Sequence, residues 1–236
     1  MTSAYRLPVG GLVAKSLGIY FGNLLPFTLL AVLVYAPWIA VRFAFESSPT
    51  QALLWSGTIL QQLGGQVLAG ALTYGVVQKL RGQPAAIGDV VVVGVRSFLR
   101  VLLVGIVYGL LVGCGTLLLI VPGMILLTVY YVALPAAVLE SKGVGGAMQR
   151  SSGLTRGNRW PIFGAVVLFT IVMIGVGMLL GLATVTTTDE VPPMWLEVAF
   201  TVLLAPFGAT MPAVCYFMLR TGKENTDSQQ IAAVFD

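Results

Sequence analysis

Residues 101–139 read VLLVGIVYGLLVGCGTLLLIVPGMILLTVYYVALPAAVL, 39 residues without an Asp, Glu, Lys or Arg. About 20 apolar residues cross a bilayer as a helix, so this stretch holds nearly two crossings. Its strongest break is Pro122-Gly123. Proline lacks the N–H that a helix interior needs and is well placed in a first turn, so a tight hairpin is expected there. Working outward, further apolar runs cover about 24–45, 52–79, 161–185 and 195–219, which makes six spans. Backbone groups in lipid must be paired internally, and continuous apolar runs suit helices better than the alternating strands of a barrel. The expected fold is an all-α integral membrane protein, with one transmembrane domain over 1–220 and a short cytoplasmic tail over 221–236.

Composition agrees. Of 236 residues 57% are apolar and 9% charged, against about 25% charged in a soluble domain. Almost nothing remains for a soluble domain. The chain has no His, which removes the commonest general base and metal ligand and excludes a Ser-His-Asp triad. No paired carboxylates recur at close spacing, so a non-enzymatic role without cofactor or metal is expected. Cys114 and Cys215 both sit in apolar runs and read as small core residues. Arg6 and Lys15 precede a long first apolar run with no short signal-like core, so that span is expected to be retained.

Basic residues orient the spans. Arg6, Lys15, Lys79, Arg81, Arg96, Arg100, Lys142, Arg150, Arg156, Arg159, Arg220 and Lys223 all fall on the side of the N-terminus, and only Arg42 falls opposite, beside Glu46, Asp189, Glu190 and Glu197. By the positive-inside rule the basic side is the cytoplasm, and both termini lie there. The net charge of +4 is then a topology signal with an affinity for anionic lipid headgroups, not a nucleic-acid signal.

An internal repeat is present. Residues 9–26 (VGGLVAKSLGIYFGNLLP) and 144–161 (VGGAMQRSSGLTRGNRWP) share eight identical positions without a gap, including Ser16/Ser151, Gly22/Gly157, Asn23/Asn158 and Pro26/Pro161. Each copy precedes a span and carries an apolar arc suited to a membrane-surface helix. Residues 89–100, with Asp89, Arg96 and Arg100 on one helical face, hold the same position before the third span. The expected layout is three units of an interfacial helix plus a transmembrane hairpin, about 8–81, 86–141 and 143–220. Each elbow should turn at Gly22-Asn23 or Gly157-Asn158, with the Asn side chain capping the following helix.

Within IVPGMILLTVYYVALPAAVLESKGVGGAMQRSSGLTRGNRWPIF (120–163), Pro122, Gly123, Pro135, Glu140, Ala147, Arg150, Ser151, Leu154, Gly157 and Trp160 form a pattern. It resembles the signature of the bacterial superfamily that includes the membrane domain of some glycerophosphodiester phosphodiesterases and related stand-alone inner-membrane proteins of unknown function. The resemblance implies a bacterial inner-membrane location. Only 16 residues follow Arg220, so the catalytic domain of the fused enzymes is expected to be absent.

Three sets of residues are candidates for function. Glu140 with Arg150, Arg156 and Arg159 reads as a lipid-phosphate site or as a structural ion pair pinning an interfacial helix. Gln61, Gln62 and Gln66 in the second span mark either a permeation path or interhelical hydrogen bonds. Gly105, Gly109, Gly113, Gly177 and Gly181 carry the small-xxx-small spacing of close helix packing, within the chain or in a homo-oligomer. No charged residue falls at mid-bilayer depth in these spans, which counts against ion pumping. The expected role is support or regulation of a membrane-protein partner, or sensing of the bilayer. The alternative is a transporter or binder of lipids or small amphiphiles with a cavity between hairpins reaching Gln62 and Gln66.

Overall fold

The computed structural model describes residues 5–44, 51–83, 86–140, 143–187 and 194–235, which form helices and turns with no strand among them. In chain order the helices are α1 (Val9–Gly22), α2 (Leu24–Ala44), α3 (Gln51–Leu80), α4 (Ile87–Leu118), α5 (Ile120–Val129), α6 (Ala133–Leu139), α7 (Val144–Thr155), α8 (Arg159–Thr187) and α9 (Met194–Phe235). Among the described residues five stretches are long and apolar enough to cross a membrane: α2, α4, the α5–α6 pair, and the Arg159–Leu179 and Trp195–Glu224 parts of α8 and α9. The chain is a helical membrane protein. The remaining long helix, α3, carries Gln61, Gln62 and Gln66 and packs against α2, α4, α6 and α9, so a helix with three glutamines is central. Glu46, Lys142, Asp189 and Glu190 lie outside the described residues.

Two helix pairs share an elbow. α1 ends at Gly22 and α2 begins directly after Asn23; α7 ends at Thr155, and α8 begins directly after Asn158. Pro26 and Pro161 stand in the first turns of α2 and α8, where a missing N–H is harmless. Ser16 and Ser151 are both fully buried. The turn chemistry differs from expectation. Gly157 takes φ +84°, but Gly22 does not take positive φ and closes α1 as a helical residue. Neither Asn side chain caps the following helix. Asn23 donates to the Ile19 carbonyl at 2.6 Å and accepts from Lys79. Asn158 accepts from the Leu7 N–H at 2.7 Å and donates to the Tyr5 carbonyl at 3.0 Å. Their backbone carbonyls take the first helical bonds instead, from Phe27 and Ile162.

The middle of the chain departs further. No separate helix covers 89–100, because α4 runs unbroken from Ile87 to Leu118. At 1.5 Å per residue its 32 residues extend about 48 Å, beyond the roughly 30 Å of a hydrocarbon core. The Gly-Asn and proline of the two elbows have no counterpart here, so nothing interrupts the backbone bonds. The hairpin turn falls at Leu119, in extended conformation, three residues before Pro122. Gly115 and Gly123 permit this close return, since a Cβ on Gly115 would lie 3.1 Å from the Gly123 backbone. The tip, Leu117 to Val121, is exposed and wholly apolar. Beyond residue 220 the backbone of α9 continues as helix to Phe235.

The returning segment is broken at 130–132. Pro135 stands in the first turn of α6 and cannot donate to the carbonyl four residues back. The Ala133 N–H turns to the Tyr130 carbonyl instead. This leaves the Val129 carbonyl without its helical partner. Ser151 and Thr155 of α7 donate to it, at 2.9 and 3.0 Å.

Candidate functional site

The four residues expected to form one cluster separate into two groups. Glu140 ends α6 and Arg150 lies on α7; Arg150 Nε donates to Glu140 Oε1 at 2.6 Å. Tyr216 of α9 donates its hydroxyl to the same carboxylate oxygen at 2.6 Å. The second guanidinium edge of Arg150 meets Glu224. Glu224 also accepts from Arg220 Nε at 2.9 Å, and Arg220 reaches back to the Tyr216 hydroxyl at 3.3 Å. These five side chains close a ring joining α6, α7 and α9. Two arginines and two carboxylates neutralise each other. Burial works against the charge of Arg150, but Glu140 and Glu224 outweigh it and raise its pKa above the usual guanidinium value. Tyr216, Arg220 and Glu224 were missed in the sequence because no motif or local spacing ties α9 to α7.

Arg156 and Arg159 take no part in the ring. Both are exposed, on either side of the Gly157-Asn158 elbow. With Ser152, Gly153, Gly157 and Trp160 they line a concavity of about 580 Å³. Lys223 donates to the carbonyls of Gly153 and Arg156, at 3.0 and 2.7 Å, and so satisfies the C-terminal end of α7. A second concavity of about 370 Å³ adjoins the first. It is an apolar groove between α5 and the start of α8, walled by Val121, Met124, Ile125 and Phe163, and it shares Arg159 and Trp160 with the basic one. Trp160 is 83% exposed, the setting of an aromatic anchor at a membrane interface.

The other candidates disperse. Gln61 makes one long contact, 3.4 Å to Thr201 of α9. Gln62 is exposed. Gln66 lies against Gly105, where a Cβ would come within 3.1 Å of its amide oxygen; that oxygen is buried without a partner among the described residues. Gly109, Gly113 and Gly177 have no neighbour within 4 Å of where a Cβ would stand, so packing against the described residues does not explain them. They sit on outward helix faces. Gly181 is helical, and its surroundings lie outside the described side chains. Close helix approach instead uses Gly70 and Gly94. A Cβ on Gly94 would stand 2.8 Å from the Ala71 Cβ and 3.0 Å from the Val67 carbonyl.

Apolar helices of crossing length, a neutralised charged ring at one end and an exposed tryptophan beside a basic elbow define a helical membrane protein. Residues 58–219 match the model of a family described as a domain of unknown function (DUF7847), and the chain belongs to that family. No curated protein matches it. No solved structure matches it.

Proposed function

We propose that this chain is a non-enzymatic bacterial inner-membrane protein that holds an anionic phospholipid of the cytoplasmic leaflet at the α7–α8 elbow. Through that lipid it senses the bilayer or supports a membrane partner. The reading keeps six spans in three units, the middle one lacking its own elbow, with both termini in the cytoplasm. One observation carries it: the basic concavity and the apolar groove share Arg159 and Trp160. A headgroup phosphate can sit on the two guanidinium groups, which offer paired donors, while an acyl chain follows α5. The resemblance to phosphodiesterase membrane domains agrees with a membrane module that itself carries no chemistry. Neither elbow concavity contains Gln61, Gln62 or Gln66, so a lipid at the elbow makes no use of these glutamines.

The test is native mass spectrometry after purification in mixed phosphatidylglycerol and phosphatidylcholine. The native chain should retain phosphatidylglycerol. Arg156→Ala with Arg159→Ala should weaken retention by about 1 kcal/mol per charge, with melting unchanged. Equal retention of the two lipids by the native chain would sink the proposal.

A further inference from the structure

Three more arginines converge on a different surface. Arg81 follows α3, and Arg96 and Arg100 lie one turn apart on α4. All three line a concavity of about 310 Å³, closed on another side by the end of α6. Its apolar wall is Val77, Val93, Val138 and Leu139, of which Val77 and Val138 are buried. Ser97, also buried, bonds back to its own helix at 2.7 Å. Tyr74 and Gln78 complete the polar lining. Gln78 donates to the Tyr74 oxygen at 2.9 Å, which leaves the phenolic hydrogen available to another acceptor.

The charge here is uncompensated. Arg42, Arg150 and Arg220 each have a carboxylate partner. Arg81, Arg96 and Arg100 have no ion pair and no side-chain hydrogen bond among the described residues. Among the described residues no carboxylate lines the concavity. Like charges four residues apart on a helix destabilise it, and Arg81 adds a third. The positive-inside rule explains basic residues at this end of the bundle, but not why three from two elements face one walled hollow. A bound anion would offset the repulsion, and the apolar wall shields one side of the site from water. The hollow has room for roughly ten waters at about 30 Å³ each, more than a diphosphate group needs.

We propose that this hollow is a binding site for a phosphate group carrying two or more negative charges, a phosphomonoester or a diphosphate. It is separate from the elbow, and its ligand is either a lipid headgroup of the phosphatidic-acid type or a soluble diphosphate. Two guanidinium groups grip the oxygens in pairs, and the third, with Tyr74, meets the remaining charge.

The experiment uses the full chain in two settings. In detergent, pyrophosphate is titrated by calorimetry. In nanodiscs, enrichment of phosphatidic acid over phosphatidylglycerol is measured. A soluble ligand predicts saturable pyrophosphate binding without phosphatidic-acid enrichment. A lipid ligand predicts enrichment that pyrophosphate reverses. In either case Arg96→Ala should weaken binding by about tenfold or more. Arg96→Lys, which keeps the charge, should lose less, and exposed Arg6→Ala should lose nothing. The proposal is overturned if the native chain neither binds pyrophosphate nor enriches phosphatidic acid. It is equally overturned if Arg96→Ala, melting like the native chain, binds unchanged. Neither result touches the elbow, which is tested with a phosphodiester lipid on other arginines.

Discussion

The Ser151 hydroxyl donates to the Val129 carbonyl at 2.9 Å. The Thr155 hydroxyl shares its one hydrogen between the same oxygen at 3.0 Å and the Ser151 carbonyl at 2.9 Å, and both hydroxyl residues are fully buried. The relationship repairs the helix that Pro135 interrupts, and it pins α7 under the break. A buried carbonyl left without a donor costs about 1–3 kcal/mol. Ser151→Ala combined with Thr155→Val should therefore lower stability by about that much in thermal unfolding. Ser151→Ala alone should cost less, since Thr155 remains. A double variant that melts like the native chain would show that the carbonyl needs neither hydroxyl.

The ring around Glu140 should behave as one unit. Glu140 is only 12% exposed at its side chain and Arg150 27%, so removing one partner strands a half-buried charge. Glu140→Gln is expected to cost about 1–3 kcal/mol, Tyr216→Phe about 1 kcal/mol. Lipid retention should not change with either. A double-mutant cycle between Glu140 and Arg150 should give a coupling energy well above that of an exposed pair, about 0.2–1 kcal/mol. Additive effects would mean that the ring does not close in solution.

Filling the apolar groove separates chain from headgroup. Ile125→Trp adds bulk to the α5 wall without altering charge. If an acyl chain occupies the groove, this variant should lose phosphatidylglycerol retention while Arg156 and Arg159 remain. Retention equal to the native chain would confine the lipid contact to the basic concavity.

The glycines divide into two kinds, and alanine distinguishes them. Gly94→Ala drives a methyl into α3 and should cost about 1–3 kcal/mol by overpacking. Gly113→Ala points into open space and should be neutral or stabilising by up to about 1 kcal/mol, the helix preference of Ala over Gly. A large loss at Gly113, with loss of a dimer in light scattering, would show a second copy on that face.

Orientation is tested by single cysteines in a background without Cys114 and Cys215. Residues at 47 and 188 should react with an impermeant thiol reagent from outside intact cells, and one at 228 should not. The converse pattern would invert the assignment.

The sequence by itself determined that this chain lives in a membrane as helices. That follows from local physics: 39 uncharged residues have no stable place in water, and an isolated backbone in lipid must bond to itself. It also showed where helices pause, because glycine, asparagine and proline act within a few residues of themselves. The matched segments at 9–26 and 144–161 both end in such a pause. It did not show that α4 runs through 89–100, since the absence of a breaker is a weak signal beside a repeated position. Nor could it divide the arginines. Glu140, Arg150, Arg156 and Arg159 lie together in the chain, yet α9 returns from 76 residues away to place Tyr216 on Glu140 and brings Glu224 to Arg150. Arg81, Arg96 and Arg100 receive no such partner among the described residues. Whether a guanidinium is neutralised or left open to a ligand depends on which distant helix packs beside it, and only the tertiary structure decides that.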